Sequence, residues 1–494
     1  MPESSSLIPV LAASAPLLAA LGIVALPRTR ASVWSTAAAL ATFLLTASLA
    51  PLVLAGEKPS FSLIYLAPGV ELSLRADALG LTFALLASGL WIVTTFYTSG
   101  YAHADGMKDT RRFQTFFAVS ISAALGVAFA GDLLTFLIFY EALTLVTYPL
   151  VAHRETPAAL AAGRRYLAYA LPAGLALTVA VVWTWSLTGS LEFVAGGMLE
   201  GHASGGERGA LLVLFLAAAG VKAAIMPLHA WLPAAMVAPA PVSALLHAVA
   251  VVKAGVFACL RIIGFVFGPT LLDGTPEVAV LAAACAVTMV VGSLIAIAED
   301  SLKRRLAFST IVHLSYMVLG SALLAPVAFA GSVLHMANHG LAKITLFLCV
   351  GAIQTVAGVD KLSELGGLAR RMPWTFAALS VAALGLAGVP GLCGFAGKLL
   401  LARGAADAGE PLFLAVMIGG SVLSVAYLLP ILKVAYLDAG PPGAPRVRTP
   451  RLMLVPLVVT AGLVAVFGFL PPLVGMQYDL AALVAAEVFG GERD

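Results

Sequence analysis

Apolar stretches about twenty residues long recur along almost the whole chain, separated by short polar or basic connections. That is the length a helix needs to cross roughly 30 Å of hydrocarbon. Fourteen such spans are expected, at 7–26, 32–55, 77–100, 113–130, 132–152, 164–187, 209–228, 241–264, 276–298, 305–325, 328–352, 373–402, 411–436 and 452–475. The longest polar connections are 56–76, 188–208 and 437–451. The first holds FSLIYLAPGVELSLRAD, whose alternation of apolar and polar residues predicts a short surface hairpin. The pattern as a whole predicts an all-α polytopic membrane protein.

Composition agrees. Of 494 residues 61% are hydrophobic and 11% charged, whereas a soluble domain is usually a quarter charged. The net charge of +3 gives a nucleic-acid partner no electrostatic case, and the lipid bilayer is the expected surrounding. Cys259, Cys285, Cys349 and Cys393 fall inside apolar runs without CxxC spacing and read as small core residues. There is no Walker motif, GxGxxG turn or HExxH, so no cofactor, metal site or catalytic centre is expected. The N-terminus has no Lys or Arg before its first apolar run, which reads as a first span and not as a cleaved signal.

Basic residues favour the inner side of a membrane. With the N-terminus outside, seventeen of them fall in inner loops, among them Lys108, Arg111, Arg112, Arg154, Arg164, Arg165, Lys303, Arg304, Arg305 and Lys361. Six fall outside: Lys58, Arg75, Arg208, Arg261, Arg403 and Arg493. That split places both termini on the periplasmic or extracellular side of a prokaryotic inner membrane. The remaining five are lysines within spans: Lys222, Lys253, Lys343, Lys398 and Lys433.

The lysines are the unusual feature, because a charge at bilayer depth is retained only beside a partner or a wet cavity. Lys222 and Lys253 flank a block with four prolines, Pro227 and Pro233 among them. Span twelve runs thirty residues, about 45 Å as a helix, and GLAGVPGLCGFAGK with Pro390 and Gly391 would break it before Lys398. Lys222 to Lys398 and Lys253 to Lys433 are each shifts of five spans. An odd shift inverts topology, so spans four to eight and nine to thirteen would form an inverted pair, a plan frequent in transporters. The expected segments are 1–112 with three helices, repeats at 113–264 and 276–436, and a C-terminal helix and tail at 450–494.

Glu141 lies about nine residues past Asp132, roughly 14 Å along a helix, and Lys222 is its expected switchable partner. In HMANHGLAK, His335, His339 and Lys343 fall four apart on one helix face, a stripe of protonatable groups without the acidic or Cys ligands of a metal site. Lone His247 and His313 read equally well as core histidines. Lys433 is near enough to the inner surface to snorkel.

Five stretches carry a family resemblance: LLTFLIFYEALTLVTYPLVAH, VKAAIMPLHAWLPAAMVAPAPVSALLHAVAVVKAGVF, DSLKRRLAFSTIVHLSYMVLG, HMANHGLAKITLFL and GLAGVPGLCGFAGK. Together they resemble the antiporter-like proteins: the large proton-pumping membrane subunits of respiratory complex I, Mrp-type Na⁺/H⁺ antiporters and membrane-bound hydrogenases. The resemblance spans roughly residues 75–435. It implies a fourteen-helix core with two inverted five-helix repeats and discontinuous helices seven and twelve. It also implies that Glu141 and Lys222 form the pair of helices five and seven, and that Lys253 bridges to the polar line of His339 and Lys343. Lys398 would then be the terminal residue of helix twelve. A lysine at 398 and the wording NHGLAKITLFL look most like the MrpD-type antiporter protein. The chain ends soon after span fourteen, which argues against relatives with a long lateral helix. The function so implied is a proton-translocating subunit of a multisubunit monovalent cation/H⁺ antiporter, with Na⁺ or another such cation and other membrane subunits as partners. Pumping subunits of an NADH:quinone oxidoreductase or a hydrogenase come next, then a solute symporter or an energising partner of an anion-uptake complex.

Overall fold

The computed structural model describes residues 3–25, 28–440, 445–469 and 471–490; Arg493, one of the expected outer basic residues, lies outside them. Helices numbered along the chain are α1 Ile8–Ala25, α2 Arg28–Ala47, α3 Ala78–Ala104, α4 Thr110–Phe129, α5 Leu133–Val151, α6 Pro157–Thr188 and α7 Gly205–Lys222. After them come α8 Ala240–Phe267, α9 Pro276–Ala298, α10 Leu302–Ala322 and α11 Pro326–Ala357. The set closes with α12 Pro373–Ala387, α13 Cys393–Asp407, α14 Pro411–Leu437, α15 Arg451–Phe469 and α16 Pro471–Phe489.

The chain is an all-α polytopic membrane protein, and eleven described helices are long and apolar enough to cross a bilayer. Expected spans seven, ten and twelve are not among the eleven. The reason is chemical: α7 holds Glu207, Arg208 and Lys222, α10 opens with Lys303, Arg304 and Arg305, and span twelve is divided between α12 and α13. The division falls at Gly388–Leu392, where Gly388 and Gly391 take φ of +93° and +83°, values in which a side chain is strained. Pro390 sits between them. The break after Lys222 contains Pro227, and Pro233 lies in the single helical turn Trp231–Ala234 beyond it.

Two elements differ from expectation. Span eight is no plain helix: α8 has a π-helical segment at Leu245–Val249, and Ala250 then turns to φ −114°, ψ −77°. Where a tail was expected, α16 follows α15, because the Pro471–Pro472 pair cannot continue the hydrogen-bond ladder of α15.

The expected hairpin is present as β2 Lys58–Ala67 antiparallel to β3 Val70–Arg75, and a third strand, β1 Glu3–Ser5, joins it parallel to β2. At this end of the bundle Arg261 is 1% exposed and donates to both oxygens of Asp77, at 2.6 and 3.0 Å, while Asp77 also caps α3. Phe193, Phe257 and Phe265 surround that guanidinium at 4.5–5.0 Å. Lys58 pairs with the buried Glu487 of α16 at 3.4 Å. At the opposite, basic end Arg305 donates to the carbonyls of Glu299, Tyr427 and Ile297, and Arg112 pairs with Glu155.

α8, α10 and α11 form the interior. α8 is buried along its whole length, and on α10 only Arg304 is exposed. Enclosed helices are ordinarily apolar all round. These three instead carry seven of the nine buried lysines and histidines of the numbered helices.

Candidate functional site

The first group lies where α5 meets the end of α7. Glu141 is half-buried on α5, with Oε1 enclosed and without a hydrogen-bond partner among the described residues. Its carboxylate rests against Gly174 of α6. Lys222, 2% exposed, is the last residue of α7. Its Nζ lies 3.3 Å from the centre of the Tyr140 ring and donates to the Tyr140 carbonyl. The expected partners are thus on adjoining groups, Lys222 bonding the residue next to Glu141, but they make no ion pair. Gly255 lets α8 close on the backbone of Lys222 and Ala223, where a side chain would collide.

The second group begins two residues earlier on α8. Lys253 is fully buried, and its Nζ lies 2.6 Å from Nδ1 of His339 on α11. At that distance one nitrogen donates and the other offers a lone pair, so the contact is made by one shared proton. His313 of α10 continues the line. Its Nδ1 is 3.1 Å from His335 Nε2, and its Nε2 is 3.3 Å from the Tyr427 hydroxyl, which donates to Ser424 at 3.0 Å. The His313 ring centre is 5.3 Å from those of both His335 and His339. Beyond His335 the Tyr316 ring is 6.1 Å away, with Lys398 Nζ 5.4 Å from its centre. Lys398 itself donates to the carbonyl of Ala387, the last residue of α12, at 3.0 Å. The glycine break therefore supplies an acceptor to the lysine it precedes.

Lys343 shares its helix face with His335 and His339 but leaves their line, donating to the Leu306 carbonyl at 2.9 Å and to the Ser309 hydroxyl on α10. His247 sits in the π-helical segment, stacked on Phe347 at 4.4 Å, both nitrogens enclosed and without partners among the described residues. Lys433 is exposed. Among the described residues no three His, Cys, Asp or Glu side chains are placed to hold a metal ion.

His313, which the sequence leaves equally readable as a core histidine, lies between His335 and Tyr427, and the sequence did not single out Tyr427, Tyr316 or Ser309. The only local signal was HLSY, which sets His313 and Tyr316 three apart on one face of α10.

These features define a multi-pass helical membrane protein whose buried lysines and histidines are concentrated in its most enclosed helices. Residues 130–424 match the family described as NADH:quinone oxidoreductase/Mrp antiporter, transmembrane. Relatives include NADH-quinone oxidoreductase subunit N of Desulforudis audaxviator, 32% identical over 420 residues that cover 81% of this chain and 82% of that protein. A probable K⁺/H⁺ antiporter protein (the A/B subunit) of Rhizobium meliloti is 31% identical over 450 residues, which cover 88% of this chain and 44% of that longer one. A chain of the Mrp complex from Dietzia sp. DQ12-45-1b superposes with a TM-score of 0.87 at 23% identity, covering 98% of this chain and 97% of that one. The protein belongs to the NADH:quinone oxidoreductase/Mrp antiporter membrane family.

Proposed function

We propose that this chain is a proton-translocating, antiporter-like subunit of a multisubunit monovalent cation/H⁺ antiporter of the Mrp type. The observation that carries the reading is a buried row of protonatable groups in which Lys253 is hydrogen-bonded to His339 and His313 to His335, with 5.3 Å between the His339 and His313 rings, 6.1 Å from His335 to the Tyr316 ring, and Lys398 5.4 Å from that ring's centre. Amines and imidazoles can each hold or pass one proton; within each bonded pair a lone pair receives it directly, and across the gaps, where His339 Nε2 and His335 Nδ1 are left without partners among the described residues, a water would have to carry it. Groups this close titrate as a set. Glu141 and Lys222 load the row from the α5–α7 side: movement of Lys222 off the Tyr140 carbonyl toward the free Glu141 oxygen would draw its charge away from the α7–α8 junction. His247, Lys343 and the breaks at Pro227, Pro233, Pro390 and Gly391 belong to the same device, the second break giving Lys398 the Ala387 carbonyl that a continuous helix would withhold. The repeats 113–264 and 276–436 would each contribute one break. The basic-residue distribution supports termini on the periplasmic side of a prokaryotic inner membrane, and the multisubunit complexes among the structural neighbours support membrane partner subunits.

Lys253→Met and Lys398→Met should each cut proton-coupled turnover severely in reconstituted complex, whereas Lys433→Met should leave it near wild type. Equal damage from Lys433→Met and Lys398→Met would move the path elsewhere. The second reading, a pumping subunit of a quinone-reducing complex, is favoured by the 32% identity to an NADH-quinone oxidoreductase protein over most of both chains. Co-purification of iron–sulfur subunits with quinone reductase activity would establish it over the antiporter.

A further inference from the structure

We propose that a cavity at the basic end of the bundle binds the phosphate headgroup of an anionic phospholipid. The cavity holds about 790 Å³ and is lined by both charged and apolar residues. Five cations, Arg154, Arg165, Lys303, Arg304 and Lys361, face it against two carboxylates, Asp105 and Asp360. Three of the cations are already engaged: Arg154 pairs with Asp105 at 3.1 Å, Arg304 with Glu299 at 3.1 Å, and the buried Lys303 donates to the Ala238 carbonyl at 2.9 Å. Arg165 and Lys361 are exposed and, among the described residues, make neither an ion pair nor a side-chain hydrogen bond. His229 also lines the space, and its Nδ1 is enclosed without a hydrogen-bond partner. Two free cations and an unspent imidazole nitrogen suit an acceptor-rich, doubly coordinated oxyanion.

The lining also includes the apolar Met236, Val237 and Phe308, of which Val237 is 38% exposed while the other two are buried. An inorganic anion makes no use of apolar lining. A phospholipid uses both kinds of residue, phosphate on the cations and glycerol ester carbons on the apolar side chains. The polar end of a membrane bundle is also where headgroups lie. Met236 and Val237 belong to the segment after the first helix break, whose Trp231 donates to the Val221 carbonyl at 2.7 Å, next to Lys222. A lipid seated here would brace the turn that holds that lysine. The binding assignment does not depend on the proton-transfer reading.

The test is native mass spectrometry of the purified complex after exchange into vesicles of phosphatidylcholine with or without phosphatidylglycerol. The variants are Arg165→Gln with Lys361→Gln, the charge-preserving Arg165→Lys with Lys361→Arg, and Arg164→Gln as a control on the same helix outside the cavity. Loss of two cations, each worth about fivefold near an anionic surface, should weaken phosphatidylglycerol retention roughly twenty- to thirty-fold. The charge-preserving pair and Arg164→Gln should retain the lipid. Equal retention in all variants overturns the proposal. So does inorganic phosphate binding to lipid-free complex with the same variant sensitivity, which would assign the cavity to a free anion. Sensitivity to the two substitutions only in copurification of an acidic protein, with lipid retention unchanged, would assign it to a partner chain and equally overturn it.

Discussion

The contact between Glu141 and Gly174 allows the carboxylate to be moved without being removed. A methyl group built on Gly174 would lie 2.8 Å from Glu141 Oε1 and closer still to the other carboxyl atoms. Favourable separations begin near 3.5 Å, so the carboxylate must retreat by ~1 Å. The backbone has no need to follow, because the obstacle is the far end of a flexible side chain. In stability the effects nearly cancel: alanine is favoured over glycine in a helix by ~1 kcal/mol, and an off-rotamer glutamate loses about as much. Displacement of a reacting group by ~1 Å, by contrast, is worth on the order of a hundredfold in rate. Gly174→Ala should therefore leave assembly and thermal stability unchanged while lowering proton flux into proteoliposomes, read with a pH-sensitive dye, by tens-fold or more. Gly163→Ala is the matched control. It also adds a methyl between α6 and α5, 2.8 Å from a ring carbon of Tyr148, but away from Glu141. Wild-type flux in Gly174→Ala, or the same loss in both variants, would refute the argument that the position of this carboxylate sets the rate.

Breaking the buried Asp77–Arg261 pair from one side, by Asp77→Asn or Arg261→Met, should destabilise the protein by about 3–5 kcal/mol, since the remaining charge is left enclosed. The double variant should recover much of that, and single variants unfolding at the wild-type temperature would contradict it. At the basic end the Arg112 guanidinium holds the exposed Glu155 carboxyl below its usual range. Its contribution is complete above the ordinary carboxylate pKa and fades as pH falls through the lowered one. Glu155→Gln should therefore slightly flatten the acid limb of a melting-temperature profile and leave the neutral limb alone; a change confined to neutral pH would reverse the sign.

Lysines in apolar runs stand out from the sequence because nothing else explains them, and Lys222, Lys253 and Lys398 each prove to be enclosed beside a specific acceptor. Proline and glycine near two of them made both breaks legible. His313 was not legible in the same way. Whether a lone histidine in an apolar helix is core or relay depends on what faces it, and its partners His335 and Tyr427 come from α11 and α14, 22 and 114 residues away. The π-helical segment of α8 was hidden for a different reason: a helix buried on every side has no amphipathic phase for an extra residue to disturb. β1 is three residues long, below anything alternation can detect, and exists because β2 offers it an edge. That Lys222 bonds the Tyr140 carbonyl and not Glu141 is settled by side-chain placement, which has no counterpart in spacing.

Lys58 stands opposite Glu3 in the β1–β2 register and pairs with Glu487 of α16. One residue near the start of the chain thus collects contacts from both of its ends. During synthesis at a ribosome, β1 and Lys58 emerge hundreds of residues before Glu487 does. Asp77 and Arg261 are likewise both made before it, so of the two ion pairs at the hairpin end one has its partners early and the other waits for α16. A chain released at α15 would hold the central helices while Lys58 still lacked the carboxylate it pairs with.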